Sequence, residues 1–234
     1  MRLDNYLVKF LGIKSRTKAQ QLIKDAIVSV DGSVVKKSSY EVDGEVSLAE
    51  HKSYVSRSAL KLKGFLDDLK LDLNGLGALD IGSSSGGFTQ VLLEYGVVSV
   101  DAVDVGSNQL DPLIAQDRRV VAYEQTDIRD FVSDRRYEVV VSDISFISLL
   151  HIISHIDSLA SRWIILLFKP QFEVGRLVKR NKQGVVQDSR AIMDAKREFE
   201  LECKKLKWSL VSTQEAIVAG KKGNLESLYC FEKR

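Results

Sequence analysis

From residue 76 onward, short apolar segments alternate with amphipathic ones, and this alternation limits the chain to few folds. Five segments have the length and composition of buried strands, namely 77–81, 99–103, 119–123, 138–142 and 163–168. Helical periodicity marks the segments near 87–95, 109–116, 146–158 and 188–205. This order predicts a mostly parallel α/β sheet with helices on both faces. Two late strands, near 208–218 and 227–231, complete a predicted seven-stranded sheet with an antiparallel edge.

The first predicted strand ends in a carboxylate and a glycine-rich turn before a helix begins. This stretch reads Leu79-Asp80-Ile81-Gly82-Ser83-Ser84-Ser85-Gly86-Gly87-Phe88-Thr89. Glycine lets the backbone turn sharply and approach a ligand, and a helix N-terminus attracts anionic groups. The spacing differs from the dinucleotide fingerprint. Because open α/β sheets bind ligands at this turn, we predict a cofactor site here rather than a purely structural turn.

The glycine spacing, with Asp80 two residues before the first glycine, resembles the first motif of class I methyltransferases. That resemblance implies a Rossmann-like domain that binds S-adenosylmethionine. It also implies that Asp104, after the second strand, reaches the cofactor ribose, and that Asp127 lies where this fold contacts adenine. The predicted cofactor-binding residues are Asp80, Gly82, Ser83, Ser84, Gly86, Gly87, Phe88, Asp104, Asp127 and Asp143.

Two further strands end in charged residues. Asp143 follows the fourth strand and Lys169 follows the fifth. A lysine directly after an apolar strand is poorly solvated, which favours the neutral amine that a general base needs. Taken singly, Asp143 is equally explained as a helix N-cap and Lys169 as an exposed lysine at a strand end.

The N-terminal segment is basic and has a different pattern. Residues 1–40 contain eight Lys or Arg against three Asp or Glu, whereas the whole chain has a net charge of only +2. Such a cluster favours nucleic acid, although a solvated charged face explains it as simply. The pattern predicts two short helices and then a small β-rich unit, with tight turns at Asp31-Gly32 and Asp43-Gly44.

This segment resembles the S4 RNA-binding fold, an α+β unit in which a helical hairpin packs on a small sheet. The matching stretches are Arg2-Leu3-Asp4, Ser15-Arg16-Thr17-Lys18-Ala19, Leu22-Ile23 and Val28-Ser29-Val30-Asp31-Gly32. Ala26 stands where S4 domains usually carry glycine. We therefore predict an S4-like domain at 1–50, a linker at 51–58 and a methyltransferase domain at 59–234, whose first helix starts after Ser56.

The whole chain resembles the TlyA family, which joins an S4 domain to an FtsJ-like methyltransferase domain. Its members are called both haemolysins and rRNA cytidine 2′-O-methyltransferases. The most specific stretches are Tyr54-Val55-Ser56-Arg57 with Lys61-Leu62, Gly86-Gly87-Phe88-Thr89, Ser142-Asp143-Ile144-Ser145-Phe146, Lys169-Pro170-Gln171-Phe172-Glu173-Val174-Gly175 and Gly223-Asn224-Leu225-Glu226. Ser58 departs from the usual glycine.

The resemblance implies a catalytic set of Lys61, Asp143, Lys169 and Glu226. Lys169 would take the proton of a ribose 2′-hydroxyl, and the oxygen would attack the sulfonium methyl in line. Lys61 and Asp143 would set the charge of Lys169, and Glu226 would complete the hydrogen bonds. Lys61 is assigned by motif, because Lys63 lies on a different helix face.

The resemblance also implies ribosomal RNA as the partner. The chain looks like the shorter type of member, which predicts a cytidine in 23S rRNA of the large subunit, at the subunit interface. The predicted RNA-binding residues are Arg2, Lys9, Lys14, Arg16, Lys18, Lys36, Lys37, Arg57, Arg176, Lys179, Arg180 and Lys182. The alternatives are a haemolysin-like cytotoxin, for which no spanning or lytic helix is evident, and a non-catalytic RNA-binding protein.

Other features argue against several classes of protein. The two cysteines, Cys203 and Cys230, predict neither a disulfide framework nor a thiolate metal site. His151 and His155 lie four residues apart without an HExxH pattern, so we expect no metal site there or at His51. With no signal peptide and no long apolar run, the expected location is the cytoplasm. The oligomeric state is left open.

Overall fold

The computed structural model describes residues 1–24, 26–48, 54–220 and 222–233. The chain divides into two compact units, Met1–Ser53 and Tyr54–Arg234. Part of the predicted linker, residues 51–53 with His51, lies outside the described residues. The predicted domain boundaries stay predictions.

The first unit packs two helices on a three-stranded antiparallel sheet. The helices are α1 (Leu3–Phe10) and α2 (Arg16–Lys24), and the strands are β1 (Val28–Val30), β2 (Ser33–Val34) and β3 (Val46–Leu48), in the order β2-β1-β3. Leu3, Leu7, Ala19 and Ile23 are fully buried in its core. Asp31 and Gly32 have φ of 48° and 75°, which forms the predicted tight turn. Residues 40–42 form no strand and contribute one bridge, between Arg2 and Glu41.

The second unit is the predicted α/β domain with a seven-stranded sheet. Its strands are β4 (Gly77–Ile81), β5 (Ser99–Val103), β6 (Val120–Tyr123), β7 (Tyr137–Ser142), β8 (Ala160–Phe168), β9 (Trp208–Glu215) and β10 (Ser227–Lys233). Their order is β6-β5-β4-β7-β8-β10-β9, parallel from β6 to β8, with β10 antiparallel to both β8 and β9. The antiparallel edge predicted from the missing late helix is confirmed.

Helices and one 3₁₀ turn connect these strands. They are α3 (Arg57–Leu69), α4 (Gly87–Glu94), α5 (Pro112–Ala115), the 3₁₀ turn (Leu149–His151), α6 (Ile153–Leu159), α7 (Pro170–Glu173) and α8 (Ser189–Lys205). The predicted helix 109–116 was too long, because Pro112 starts α5 and Asp111 caps it. The predicted helix 146–158 was also wrong at its start. Phe146 has a left-handed φ of 72°, and Ser148 caps the later 3₁₀ turn instead.

Two apolar clusters cover the two faces of the large sheet. One includes Leu79, Val140 and Phe168, and the other includes Val139, Ile165 and Phe65 from α3. Because β4, β5, β7 and β8 run parallel, their carboxyl ends meet at one edge of the sheet. That edge carries the polar residues singled out in the sequence. In the described part of the chain, no helix is long and apolar enough to cross a membrane.

Candidate active site

The turn after β4 needs glycine because of its backbone shape and its close neighbours. Gly82 and Gly86 have φ of 79° and 88°, which L side chains rarely adopt. A Cβ at Gly82 would lie 3.2 Å from the Ile144 backbone nitrogen, and one at Gly86 would lie 2.9 Å from Leu110 Cδ1. The turn therefore packs directly against the loop after β7, which carries Asp143.

A cleft of about 300 Å³ opens beside this turn. Its apolar wall comes from strand ends and from the loop after β7, with Ile81, Val103, Ile128, Ile144, Ile147 and Ile152. Asp104, Thr126 and Asp127 supply polar groups. A smaller cavity of about 150 Å³ shares Gly82, Ser84, Asp143 and Ser145 with the cleft and extends to Lys169. The volume of the larger cleft, about 300 Å³, lies at the lower end of the range for small-molecule sites, roughly 300–1,000 Å³.

Asp104 and Asp127, the two carboxylates predicted to contact the cofactor ribose and adenine, both line the cleft. Asp104 accepts hydrogen bonds from the backbone nitrogens of Ser84 at 2.9 Å and Gly106 at 2.7 Å. Asp127 accepts two hydrogen bonds from the Arg129 guanidinium, at 2.9 and 2.6 Å. These hydrogen bonds lower the pKa of Asp127 to about 2. Each carboxylate is therefore held in a fixed orientation beside the cleft.

Other residues of the glycine-rich motif are arranged around the cavities in different ways. Ser83, Ser84 and Phe88 line the smaller cavity, together with Ser56 and Ser58 from the start of α3. Asp80 is fully buried behind the turn, where it accepts a hydrogen bond from Thr89 Oγ1 at 2.6 Å. Burial raises the pKa of Asp80 to about 7. Asp80 thus supports the turn rather than lining the cleft.

Two lysine–carboxylate pairs lie near the end of the sheet, and one of them, Lys169–Asp143, lines the smaller cavity. Lys61 Nζ lies 2.5 Å from Glu226 Oε2, and both side chains are buried. Lys169 Nζ lies 2.7 Å from Asp143 Oδ1 and donates to Ser145 Oγ at 2.9 Å. The structure thus groups the four predicted catalytic residues into two ion pairs.

The sheet topology explains how distant parts of the sequence form these pairs. Lys169 follows β8 and Glu226 precedes β10, and the antiparallel register pairs Phe168 with Ser227. This register brings Lys169 and Glu226 to the same end of adjacent strands. Lys61 comes from the buried face of α3, whereas the more exposed Lys63 pairs with Asp67 at 2.7 Å.

The charges of both ion pairs act on the Asp143 carboxyl. Burial raises the pKa of the Asp143 carboxyl, and the charges of Lys169 and Lys61 oppose this rise. The charge of Glu226 also acts on Asp143 and favours its protonated form. At 2.7 Å from Lys169 Nζ, the Asp143 carboxylate is close enough to pair with the lysine ammonium.

The predicted RNA-binding residues of the first unit differ in their contacts. Arg2 and Arg16 both pair with the buried carboxylate of Asp4, at 3.0 and 2.9 Å, while their side chains stay 38% and 54% exposed. The Arg2 guanidinium holds the pKa of Asp4 well below its usual range. Five lysines are simply exposed, namely Lys9, Lys14, Lys18, Lys36 and Lys37.

The predicted basic residues of the second unit also divide into two kinds. Arg57, Arg176, Lys179 and Lys182 are exposed. Arg180 is half-buried and donates hydrogen bonds to four backbone carbonyls, those of Gln171, Gly175, Arg176 and Val178. In the described ranges, no group of His, Cys, Asp or Glu could hold a metal ion.

Two residues near the site were not predicted from the sequence. Phe146 is 92% exposed at the rim of the cleft, and its ring lies 5.4 Å from that of Phe172. Gln171 donates a hydrogen bond to Glu226 Oε1 at 3.0 Å. Both lie inside stretches that carry the family resemblance, at Ser142–Phe146 and Lys169–Gly175. That position was the one available signal, because neither residue is charged.

Family models match both units of the chain. The FtsJ-like methyltransferase model matches residues 54–233, and the S4 domain model matches residues 1–47. The first match covers more than half of the chain.

Relatives of known description extend over the full length. The 23S rRNA (cytidine-2′-O)-methyltransferase TlyA of Campylobacter jejuni is 41% identical, with 100% of each chain covered. The 16S/23S rRNA (cytidine-2′-O)-methyltransferase TlyA of Mycobacterium tuberculosis is 35% identical over 96% of this chain and 87% of that protein. The solved structure of a candidate hemolysin from Streptococcus thermophilus superposes with a TM-score of 0.72 at 30% identity, covering 100% of this chain and 88% of that one. The chain therefore belongs to the TlyA family, with an S4 domain followed by an FtsJ-like methyltransferase domain.

Proposed function

We propose that the protein uses S-adenosylmethionine to methylate the ribose 2′-hydroxyl of a cytidine in 23S rRNA, on the face of the large subunit that meets the small subunit. The observation that carries this proposal is that Asp143, which lines the cleft, pairs with Lys169 and lies within the electrostatic reach of the Lys61–Glu226 pair. The full-length match to a 23S rRNA cytidine methyltransferase supports the choice of substrate.

The residues of the cleft fit S-adenosylmethionine. Asp104, with its orientation fixed by two backbone nitrogens, suits a ribose diol. The isoleucine wall suits the flat face of adenine, and Asp127 lies at the edge of that wall. The smaller cavity, lined by serines and bordered by Lys169, suits an amino-acid end. When bound, the cofactor would supply an electrophilic methyl group.

The chain's own residues handle the proton of the ribose hydroxyl. Lys169 Nζ accepts this proton when its amine is neutral. Asp143 Oδ1 lies 2.7 Å from Nζ and pairs with the ammonium that Lys169 becomes when it accepts this proton, which later passes to solvent. Lys61 and Glu226 remain paired, and their charges act on Asp143. Holding the hydroxyl in line with the methyl group supplies much of the rate enhancement.

Phe146 gives the site an aromatic surface for the target base. Its ring is exposed at the rim of the cleft, and the left-handed backbone at this position aims it away from the core. A base removed from RNA stacking gains about 1–3 kcal/mol on an aromatic ring. The exposed basic residues Arg176, Lys179 and Lys182 would contact phosphates, which position RNA without reading its sequence.

The first test is transfer of radiolabelled methyl groups from S-adenosylmethionine to unmodified ribosomal subunits. We expect label on a 23S cytidine ribose in free 50S subunits, and little in 70S particles, where the interface is covered. Label confined to 30S subunits would refute the choice of target. No transfer to any particle, despite cofactor binding, would refute the function.

Lys169→Met is expected to lower the transfer rate at saturating cofactor by at least a factor of about 100, because the variant removes the proton acceptor. Lys63→Met is the matched control, since it removes an exposed lysine two residues from Lys61. Equal rates for Lys169→Met and the wild-type protein would contradict the assigned base.

A further inference from the structure

The loop between α7 and α8 is folded into a small hairpin. Its two arms pair through an isolated antiparallel bridge between Arg180 and Val186. The Gln187 nitrogen donates to the Lys179 carbonyl at 3.0 Å, and the Asn181 nitrogen donates to the Val185 carbonyl at 2.9 Å. The basic residues of this loop therefore lie on a backbone that is held by hydrogen bonds, and the structure defines their positions.

Arg180 holds one end of this hairpin against α7. Nη1 donates to the carbonyls of Arg176 at 3.1 Å and Val178 at 2.7 Å. Nη2 donates to the carbonyls of Gln171 at 3.3 Å and Gly175 at 2.7 Å. A guanidinium has four hydrogens on its two terminal nitrogens, and these contacts use all four. Arg180 therefore cannot grip a phosphate in a bidentate manner without releasing the loop.

Asn224 holds the second arm of the hairpin, which pairs with the arm that carries Arg180. Its buried side chain accepts a hydrogen bond from the Val186 nitrogen at 3.0 Å and donates to the Gly184 carbonyl at 3.4 Å. Glu226 comes two residues later in the chain. The hairpin is thus fastened to the segment that carries one half of the site.

The contacts of Gln171 link Arg180 to Glu226. Its backbone carbonyl accepts from Arg180, and its side-chain amide donates to Glu226 Oε1 at 3.0 Å. The same carboxylate pairs with Lys61. Loss of the Arg180 contacts would free the backbone at Gln171, two residues after Lys169. A displacement of about 1 Å in such a site can lower a rate about 100-fold.

We propose that Arg180 is a positioning residue that fastens the 174–187 loop between the Lys169 and Glu226 segments, and that the exposed Arg176, Lys179 and Lys182 alone contact RNA from this loop. The division rests on the proposed function. The sequence predicted one role, RNA binding, for Arg176, Lys179, Arg180 and Lys182. The proposal gives Arg180 a separate role in positioning the site. Arg180 sets the rate of the bound complex, whereas its exposed neighbours set affinity for RNA.

The test is steady-state methyl transfer at saturating cofactor, with 50S subunits varied. For Arg180→Met we expect kcat to fall at least about tenfold, with a change in the KM for RNA below about twofold. For Lys179→Met we expect the KM for 50S subunits to rise while kcat stays nearly constant. The slope of log affinity against log salt concentration should become shallower by about one, because one phosphate contact is lost. Arg180→Lys should recover only part of the rate, because one ammonium cannot donate to four carbonyls.

A higher KM with normal kcat for Arg180→Met would overturn the proposal, as would full recovery in Arg180→Lys. Thermal unfolding and cofactor binding identify a variant that has not folded, and Arg180→Lys then decides the outcome. Hydrogen exchange at the amides of Asn181 and Gln187, measured on the full chain without RNA, should accelerate in Arg180→Met. If the wild-type protein transfers no methyl group, the proposed function fails, and unchanged exchange would separately refute the fastening role.

Discussion

At the scale of single residues, Asp80 combines full burial with a carboxyl pKa raised to about 7. Burial is the main cause, and the Thr89 hydrogen bond opposes it. The folded state therefore binds the Asp80 proton more tightly than the unfolded state does. The stability contributed by this proton is complete below pH 4 and is lost as the pH rises toward 7.

Asp80→Asn removes this titration and keeps the shape of the side chain. Compared with the variant, the wild-type protein should lose up to about 1.4 kcal/mol of unfolding free energy per pH unit between pH 4 and 7, and no more above that range. Urea unfolding of both proteins at several pH values measures the difference. A difference that stays constant from pH 4 to 8 would contradict the raised pKa.

Ala26 shows why S4 domains usually have glycine after the second helix. Its φ of 61° lies in the left-handed region, which costs a residue with a Cβ about 1–2 kcal/mol. Ala26→Gly should therefore stabilise the first unit by about 1 kcal/mol, after allowance for the greater freedom of glycine in the unfolded chain. Hydrogen exchange of core amides in this unit measures the change. Ala19→Gly, in the interior of α2, is the control and should destabilise.

At the scale of elements, the first turns of α3 and α4 are in contact beside the smaller cavity. A Cβ built on Gly87 would overlap the hydroxyl groups of Ser56 and Ser58. These two hydroxyls lie 2.7 Å apart and share a hydrogen bond. Because Gly87 has no side chain, the N-terminus of α4 can pack directly against the N-terminus of α3.

Gly87→Ala should destabilise the protein by about 1–3 kcal/mol because the added methyl group pushes α3 from α4. Cofactor affinity should fall as well, since Ser56, Ser58 and Phe88 line the same cavity. The variant Ser56→Ala/Ser58→Ala/Gly87→Ala removes both overlapping hydroxyls and should regain most of the stability. Calorimetry of unfolding and of cofactor binding tests both effects, and an unaltered single variant would contradict the contact.

The hydrophobic pattern of the sequence predicted the buried strands of the large sheet. Strands β4, β5, β7 and β8 are buried over most of their length, so they appear as mostly apolar runs in the sequence. The start of helix 146–158 could not be predicted this way, because Glu173 from another element binds Ser148 and Leu149 and fixes the loop before it. Arg180 was predicted to bind RNA from its charge, which does not reveal its hydrogen bonds to four backbone carbonyls.

At the scale of the whole molecule, each unit has its own apolar core. Leu3, Leu7 and Ile23 belong to the core of the first unit, and the two clusters of the large sheet belong to the second. Basic residues predicted to bind RNA occur in both units. Affinity for the ribosome and the chemistry of transfer can therefore be separated by removing one unit.

A chain of residues 49–234 should keep the fold and the cofactor affinity of the second unit, because its core and cleft are complete. Its affinity for 50S subunits should fall at least about tenfold, and the salt dependence should weaken by about one ion for each lost phosphate contact. Filter binding at several salt concentrations measures this loss. Unchanged affinity would show that the first unit does not bind the ribosome.

The Lys61–Glu226 pair joins residues that are 165 positions apart. All the residues that line the two cavities have been synthesised once Lys169 is added, but Glu226 comes nearly at the end of the chain. A product of premature termination therefore contains the lining of the cofactor cleft without its second ion pair. Under the proposed function, such a product lacks the Lys61–Glu226 half of the proposed catalytic set and is expected not to transfer methyl groups.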